Sequence, residues 1–332
     1  MRRTMLVAAL AGLFTIGALI AYQGSGSLFT ALAGLGWGMG LVLLIHVLQL
    51  LCSGLAWAAV FGRDQSQSGL TFVWIRWVRE SLNSLLPIAQ IGGEIVAVRL
   101  LALRAVPGGA TAASLVVDLT MEVLSQIPFT LLGLALLLLG GFTGSMARWI
   151  FLGLAAALPI VVIFIVAQQR GLFRWVERAF DWMAAHQPAF DGINLSGLHD
   201  RINAIYQQRR TLLTAFHLHL LSWLLGAGEV WLILRLLGAP VTFSEAMVLE
   251  SLGQAIRNAA FVVPAGFGVQ EGGFLLLGTL YGLAPETGLA LSLAKRLREV
   301  LLGVPGLLCW QFIEGRRLRR GAQRALDTDE PN

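Results

Sequence analysis

Residues 37–61 read WGMGLVLLIHVLQLLCSGLAWAAVF, a run of 25 residues with no Asp, Glu, Lys or Arg and a single histidine, His46. A helix rises about 1.5 Å per residue, so this run reaches across the roughly 30 Å hydrocarbon layer of a bilayer. Comparable apolar runs occur at Thr4–Tyr22, Ala147–Val166 and Leu212–Leu237. Together they predict an all-α polytopic membrane protein. The composition agrees: of 332 residues 56% are hydrophobic and 13% charged, where soluble domains carry about 25% charged residues. The mean hydropathy is +0.73. A water-soluble enzyme is excluded.

Two stretches interrupt this pattern. Leu70–Arg104 is apolar enough to enter a bilayer, yet it carries Arg76, Arg79, Glu80 and Glu94 with Pro87 at its centre. It predicts two short helices, about 71–86 and 91–104, joined at Pro87 and Gly92-Gly93 and returning to the face they came from. Ser244–Gly282 repeats the design, with its break at Pro264, Gly266 and Gly268, followed by Gly272 and Gly273. If both hairpins are re-entrant, the full spans are about 4–22, 37–61, 109–142, 147–168, 212–238 and 286–313, six in all.

Six spans put both termini on one side. That side receives Arg2, Arg3, Arg63, Arg104, six arginines of the 170–211 linker, and Arg316, Arg317, Arg319, Arg320 and Arg324, whereas the opposite connections hold only Arg148. The asymmetry predicts cytoplasmic termini. Met1-Arg2-Arg3 before an apolar run resembles a signal peptide, but no small-x-small cleavage site follows, so an uncleaved first span is expected. The chain thus reads as one integral membrane domain over 1–332: a first repeat at 37–142, a cytoplasmic or interfacial linker at 170–211, a second repeat at 212–313 and a basic tail at 314–332. In the linker Leu172, Trp175, Val176, Ala179, Phe180 and Met183 recur at helical spacing opposite Arg174, Arg178 and Asp181, the pattern of an interfacial amphipathic helix. A second short helix is predicted at Leu198–Tyr206.

Sliding the sequence by 177 residues aligns Pro87 with Pro264, Glu94 with Glu271, Glu122 with Glu299 and Pro128 with Pro305, and Glu-Val-Leu-x-x-x-Pro occurs whole in both copies. Asp118 falls opposite Lys295, so each copy has an ionisable residue four positions before its later glutamate, on one helical face. Upstream, Thr71-Phe72 and Glu80-Ser81-Leu82 correspond to Thr242-Phe243 and Glu250-Ser251-Leu252. An odd number of predicted spans separates the copies, so they are inverted, as in alternating-access transporters.

Charged groups cost about 2.5–3.5 kcal/mol each at a helix centre on insertion scales. The candidate site therefore gathers Glu94, Asp118, Glu122, Arg257, Glu271, Lys295 and Glu299, with Arg296 and Arg298 beside them. Two polar stripes run into the breaks: Arg76, Glu80 and Asn83 in one copy, and Glu250, Gln254, Arg257 and Asn258 in the other. Helices that begin at such breaks turn positive dipole ends toward an anionic or hydroxylated headgroup. The competing reading is structural: Lys295 with Glu299, and Arg257 with a nearby Glu, as ion pairs holding helices together.

Other signals are weak. Gly266-x-Gly268 has Glu271 where a dinucleotide fingerprint needs its third glycine, and no strand precedes it. His217 and His219 fall on different helix faces, and His46 and Glu229 are lone polar groups for which inter-helix hydrogen bonding is the default. Cys52 and Cys309 lack metal-ligand spacing, so neither a zinc site nor a disulfide framework is supported. No cofactor is expected. The formal charge of +5 comes from arginines beside apolar spans, which are topology signals and not a nucleic-acid-binding face.

The stretch Pro264-Ala-Gly-Phe-Gly-Val-Gln-Glu271-Gly-Gly, the six predicted spans and the earlier Pro87/Glu94 copy resemble the lysylphosphatidylglycerol synthase transmembrane (flippase) region family, and within it hopanoid-biosynthesis-associated membrane proteins of the HpnL type. The resemblance covers nearly the whole chain. It implies an inner-membrane protein that handles amphipathic lipids. Family members that synthesise aminoacyl-lipids add a soluble transferase domain, for which this sequence has no segment, so the flippase-like part is expected alone. Three functions compete: translocation of a lipid between leaflets, modification of a lipid headgroup with Glu94 and Glu271 as acid and base, and a scaffold that recruits hopanoid-biosynthesis enzymes through the linker.

Overall fold

The structure, a computed structural model, describes residues 34–62, 67–86, 92–141, 197–239, 241–259 and 269–328, with four single positions, 152, 159, 163 and 166, between 141 and 197. Among the described residues there are nine helices and no strand. They are α1 (Gly38–Phe61), α2 (Gly69–Leu85), α3 (Gly92–Ala102), α4 (Gly108–Leu139), α5 (Leu198–Tyr206), α6 (Arg209–Leu236), α7 (Phe243–Ala259), α8 (Val269–Leu280) and α9 (Pro285–Thr328). The expected first span at 4–22, all but four positions of that at 147–168, the amphipathic helix around 172–183, and Pro87, Pro264, Gly266 and Gly268 lie outside the described residues.

Local chemistry accounts for the helix ends. At the start of α7, Thr242-Phe-Ser-Glu245 forms a capping box: the Thr242 amide donates to Glu245 Oε2 at 2.7 Å, and the Glu245 amide donates to Thr242 Oγ1 at 3.3 Å. After α1 and α6 the chain turns out of the helix at Gly62 and Gly238, with φ of +94° and +76°, a region that residues with a Cβ rarely adopt. The two short pairs predicted from Pro87 and Pro264 are present as α2/α3 and α7/α8. The repeated prolines Pro128 and Pro305 fall inside α4 and α9, which run on through them.

Helices α1, α4 and α6 are long and apolar enough to cross a membrane. α9 is longer, at 44 residues, but carries Lys295, Arg296, Arg298 and Glu299 within one turn and a half. α1 lies along α6; α2 packs on α1, α3 and α9, and α7 packs on α6, α8 and α4. The first helix of each short pair thus leans on the long helix of the other copy, and the second, α3 or α8, on the long helix of its own. Large side chains such as Leu41, Leu44, Val47, Leu132, Leu221 and Leu308 remain exposed around the bundle, as expected of a multi-pass membrane protein.

In lipid, helices associate through close packing and hydrogen bonds, and small residues let backbones approach. A Cβ on Gly54 of α1 would lie 2.4 Å from the Val73 Cα of α2. The serines of the repeated Glu-Ser-Leu triplets seat on glycines of the opposite copy: a Cβ on Gly306 would lie 2.1 Å from Ser81 Oγ, and one on Gly133 1.7 Å from Ser251 Oγ. Trp57 Nε1 donates to Ser114 Oγ and Trp223 Nε1 to Ser125 Oγ, both at 3.1 Å, which ties α1 and α6 to α4. α5 docks against α1, α4 and α6 through Leu198 and Ile202, among Ala56, Val60, Val117 and Ala215.

Candidate functional site

In the first copy, arginines of α2 face carboxylates of α4. Arg76 donates through Nη1 and Nη2 to Glu122 at 2.8 and 2.5 Å. Arg79 reaches Glu122 at 3.4 Å, Asp118 at 3.6 Å and Glu94 at 3.7 Å, and its guanidinium stands 5.8 Å above the Trp57 ring. Asp118 is fully buried and lies 2.9 Å from His219 Nε2 of α6. The side chain of Asn83 clamps the start of α3: Nδ2 donates to both Glu94 oxygens at 3.2 and 3.3 Å, and Oδ1 accepts from the Gly93 amide at 2.9 Å. Gly93 has no space for a side chain, because a Cβ would lie 2.4 Å from the Arg79 carbonyl oxygen.

In the second copy the charges trade helices. Three of the four cations now sit on the long helix α9, and the fourth, Arg257, on α7. Lys295 Nζ donates to Glu250 of α7 at 2.5 Å, Arg296 meets Glu299 at 2.9 Å and Glu271 of α8 at 3.5 Å, and Arg298 donates to Glu229 of α6 at 2.6 Å. Glu299 also receives Arg257 of α7 at 3.2 Å and lies 3.6 Å from Arg298. The substitution of Lys295 for Asp118 between the copies therefore accompanies a reversal of which helix supplies the cation.

The two halves join. Glu80 of α2 lies 2.8 Å from His46 Nε2 of α1, whose Nδ1 meets Arg298 at 2.9 Å, and Asn258 Nδ2 donates to Gln126 Oε1 at 2.9 Å across α7 and α4. The result is one belt of six basic side chains (Arg76, Arg79, Arg257, Lys295, Arg296, Arg298), eight carboxylates (Glu80, Glu94, Asp118, Glu122, Glu229, Glu250, Glu271, Glu299) and two histidines (His46, His219). Ion pairing on this scale offsets the cost of taking the charges out of water. Among the described residues no group of three His, Cys, Asp or Glu side chains could hold a metal ion.

The family model of the lysylphosphatidylglycerol synthase TM region matches residues 6–306, from the first predicted span to just past Pro305. The chain belongs to this family. Comparisons with curated proteins and with solved structures return no match. The chain is therefore a multi-pass membrane protein of a family associated with lipid handling.

Within this lysylphosphatidylglycerol synthase TM region chain, the belt brings together all the charged candidates read from the repeat. Glu94, Asp118, Glu122 and Asn83 meet in the first half, and Arg257, Glu271, Lys295 and Glu299 in the second, with Asn258 bridging to α4. One pairing differs from expectation: Lys295 pairs with Glu250 and not with Glu299, because Glu299 is already engaged by three guanidiniums and Lys295 faces α7. Arg257 does pair with a nearby glutamate, Glu299. Gly92 opens α3 and Gly93 is buried in its first turn.

His46 and Glu229 make the inter-helix hydrogen bonds expected of them, and these join the charged groups of the two halves; His219, expected only to pack, bonds Asp118. His46 has no charged neighbour on α1, and His219 and Glu229 lie ten residues apart on α6; only the packing of α1 against α6, and of both against α4 and α9, brings their partners to them. For the two histidines a signal existed among the charged residues singled out in the repeats, where seven carboxylates, Glu229 not among them, outnumber six basic residues and call for further donors. Exposed His217 bonds the Leu213 carbonyl of its own helix.

Proposed function

We propose that this protein moves amphipathic lipids, hopanoids or others with a polar headgroup, between the leaflets of the bacterial inner membrane. The headgroup passes along the ion-pair belt while the hydrophobic body stays in the bilayer. α2/α3 and α7/α8 act as two re-entrant hairpins within six spans, related by an inverted repeat, with both termini cytoplasmic. Glu94, Glu271, Glu122, Glu299, Asp118, Lys295, Arg257, Asn83 and Asn258 form the translocation path, and Pro87, Gly92, Gly93, Pro264, Gly266 and Gly268 the hinges.

The observation that carries this reading is the reciprocal belt itself. Replacing buried ion pairs by apolar side chains of similar shape is often neutral or stabilising, so a bundle that keeps so many gains little stability from them. A path for a polar solute accounts for their retention, and exchange of partners between the matched halves supplies two states. Support comes also from Gln270, in the first turn of α8 beside Glu271. It is 3% exposed, and among the described residues neither atom of its amide has a hydrogen-bond partner. A headgroup at this helix start would meet that amide and the positive end of the helix dipole. The enzyme reading needs Glu94 and Glu271 free to act on one substrate, whereas Asn83 and Arg79 engage the first and Arg296 the second.

The test is a leaflet-resolved assay in vesicles of phosphatidylethanolamine and phosphatidylglycerol that carry a fluorescent phosphatidylglycerol or a hopanoid analogue. The wild-type protein is expected to change the lipid's leaflet distribution without changing its mass. Glu94→Gln and Glu271→Gln should each slow the redistribution while the protein remains folded. Wild-type redistribution by the double variant overturns the assignment of these residues, and a mass shift of the lipid transfers the proposal to an enzyme. Absence of redistribution, with capture of hopanoid-biosynthesis enzymes that depends on the 170–211 linker, favours the scaffold.

A further inference from the structure

His46 sits at the junction of the two halves, 8% exposed, and its ring nitrogens face groups with fixed hydrogen-bonding roles. Nε2 lies 2.8 Å from Glu80 Oε1. An ionised carboxylate only accepts, so Nε2 carries a proton. Nδ1 has two neighbours that make opposite demands. Arg298 Nη1, 2.9 Å away, has only protons to donate and needs Nδ1 bare. Glu229 Oε2, 3.4 Å away, only accepts and needs Nδ1 protonated. One nitrogen cannot satisfy both.

We propose that His46 is a proton-binding site at which Nδ1 exchanges Arg298 for Glu229 as its partner, and, resting on the lipid-translocation reading above, that this exchange couples lipid movement to a transmembrane proton gradient. With the imidazole neutral, Arg298 donates both to Nδ1 and to Glu229 Oε1, the latter at 2.6 Å, and links α9 to α1 and α6. A proton taken up from solvent onto Nδ1 makes the ring an imidazolium that donates to Glu80 and Glu229. Arg298 then loses its acceptor on α1 and meets a like charge, while it keeps Glu229 and Glu299. The step moves one proton and breaks no other covalent bond.

The surroundings suit such a switch. From α2 the imidazole faces Glu80; from α6, Glu229, which is fully buried and also accepts from Gln49 at 2.7 Å; from α9, Arg298, with Glu299 beside it. Lys295, one turn before Arg298 on α9, is held by Glu250 of α7. The acidic groups of α4, Asp118 and Glu122, are engaged by Arg76, Arg79 and His219. The imidazole borders a small, half-open cleft, with room for about one water molecule, lined by His46, Trp77, Glu80, Ser84 and Glu299, through which the proposed proton would enter. The belt's excess of carboxylates over fixed cations makes protonation of His46 bring it nearer neutrality.

The site can be tested without knowing the lipid. In uniformly labelled full-length protein in nanodiscs, ¹⁵N spectra of His46, assigned through its links to Ile45 and Val47, are recorded from about pH 5 to pH 9, the range over which histidines ordinarily titrate. The expected result is a bare Nδ1 at high pH, a protonated Nδ1 at low pH and a protonated Nε2 throughout. One unchanging protonation state at Nδ1 overturns the proposal, whatever the lipid does. Coupling is tested in the fluorescent phosphatidylglycerol vesicles with an imposed pH gradient. One proton per lipid corresponds to a leaflet ratio of up to about ten-fold per pH unit. His46→Gln, which keeps a neutral donor and acceptor, should lose this response, and His217→Gln should retain it. Wild-type redistribution that ignores the gradient, or a response unchanged in His46→Gln, overturns the coupling while the translocation reading stands. If no lipid moves but Nδ1 titrates with the expected exchange, translocation fails and the proton site is upheld.

Discussion

Removing the Lys295 ammonium should be expensive in a way that removing its partner as well is not. Lys295 and Glu250 are each 4% exposed at the side chain and 2.5 Å apart. At that separation, with an effective dielectric constant near 20, their attraction is about 7 kcal/mol before desolvation. Lys295→Met removes the cation and leaves the Glu250 carboxylate buried without its main partner, a loss of about 3–5 kcal/mol. At roughly 2 °C per kcal/mol for a chain of this size, the unfolding midpoint in detergent should fall by about 6–10 °C. The double variant Lys295→Met with Glu250→Gln removes both charges and should recover most of that fall. Thermal unfolding of the four proteins of this cycle, and of the matching cycle with Glu299→Gln, measures the two coupling energies. A coupling near zero for Lys295 with Glu250, or a larger one with Glu299, refutes the pairing and with it the charge reversal between the two copies.

Gly93→Ala should lower stability by about 1–3 kcal/mol through overlap with the Arg79 carbonyl oxygen and Asn83 Oδ1, whereas Gly228→Ala, with open space at its Cβ, should be neutral or gain up to about 1 kcal/mol of helix propensity; thermal unfolding of both variants checks the contrast. Gly133→Ala should destabilise the contact of α4 with α7, and adding Ser251→Gly should restore it, because the new Cβ would lie 1.7 Å from Ser251 Oγ and 2.9 Å from its Cβ; rescue is read from the same midpoints. In a Cys-less background, Gln65→Cys and Ala325→Cys should be labelled from the cytoplasmic side and Gly26→Cys from the opposite one. Labelling of positions 26 and 325 from the same side removes the six-span topology.

What could be read along one helix at a time was legible in the sequence. The uncharged run at 37–61 specifies a span because each turn of a helix satisfies its own backbone, and only apolar side chains tolerate lipid outside it. The short pairs α2/α3 and α7/α8 follow from Pro87 and Pro264 with their glycines, which bar a continuous helix. The start of α7 follows from Thr242-x-x-Glu245, whose groups bond within one turn. The 177-residue repeat marked Glu94, Asp118, Glu122, Glu271, Lys295 and Glu299 as candidates together. Their partners were a different matter. Lys295 lies four residues from Glu299 yet bonds Glu250, and His46 meets Arg298, 252 positions away. With eight carboxylates and six fixed cations spread over α2, α3, α4, α6, α7, α8 and α9, many pairings satisfy the same charges. Which one forms depends on the rotation and register of each helix against its neighbours. Those are set by contacts such as Gly54 on Val73, Gly133 on Ser251 and Gly306 on Ser81, where the fit of surfaces from distant parts of the chain decides how closely two backbones approach.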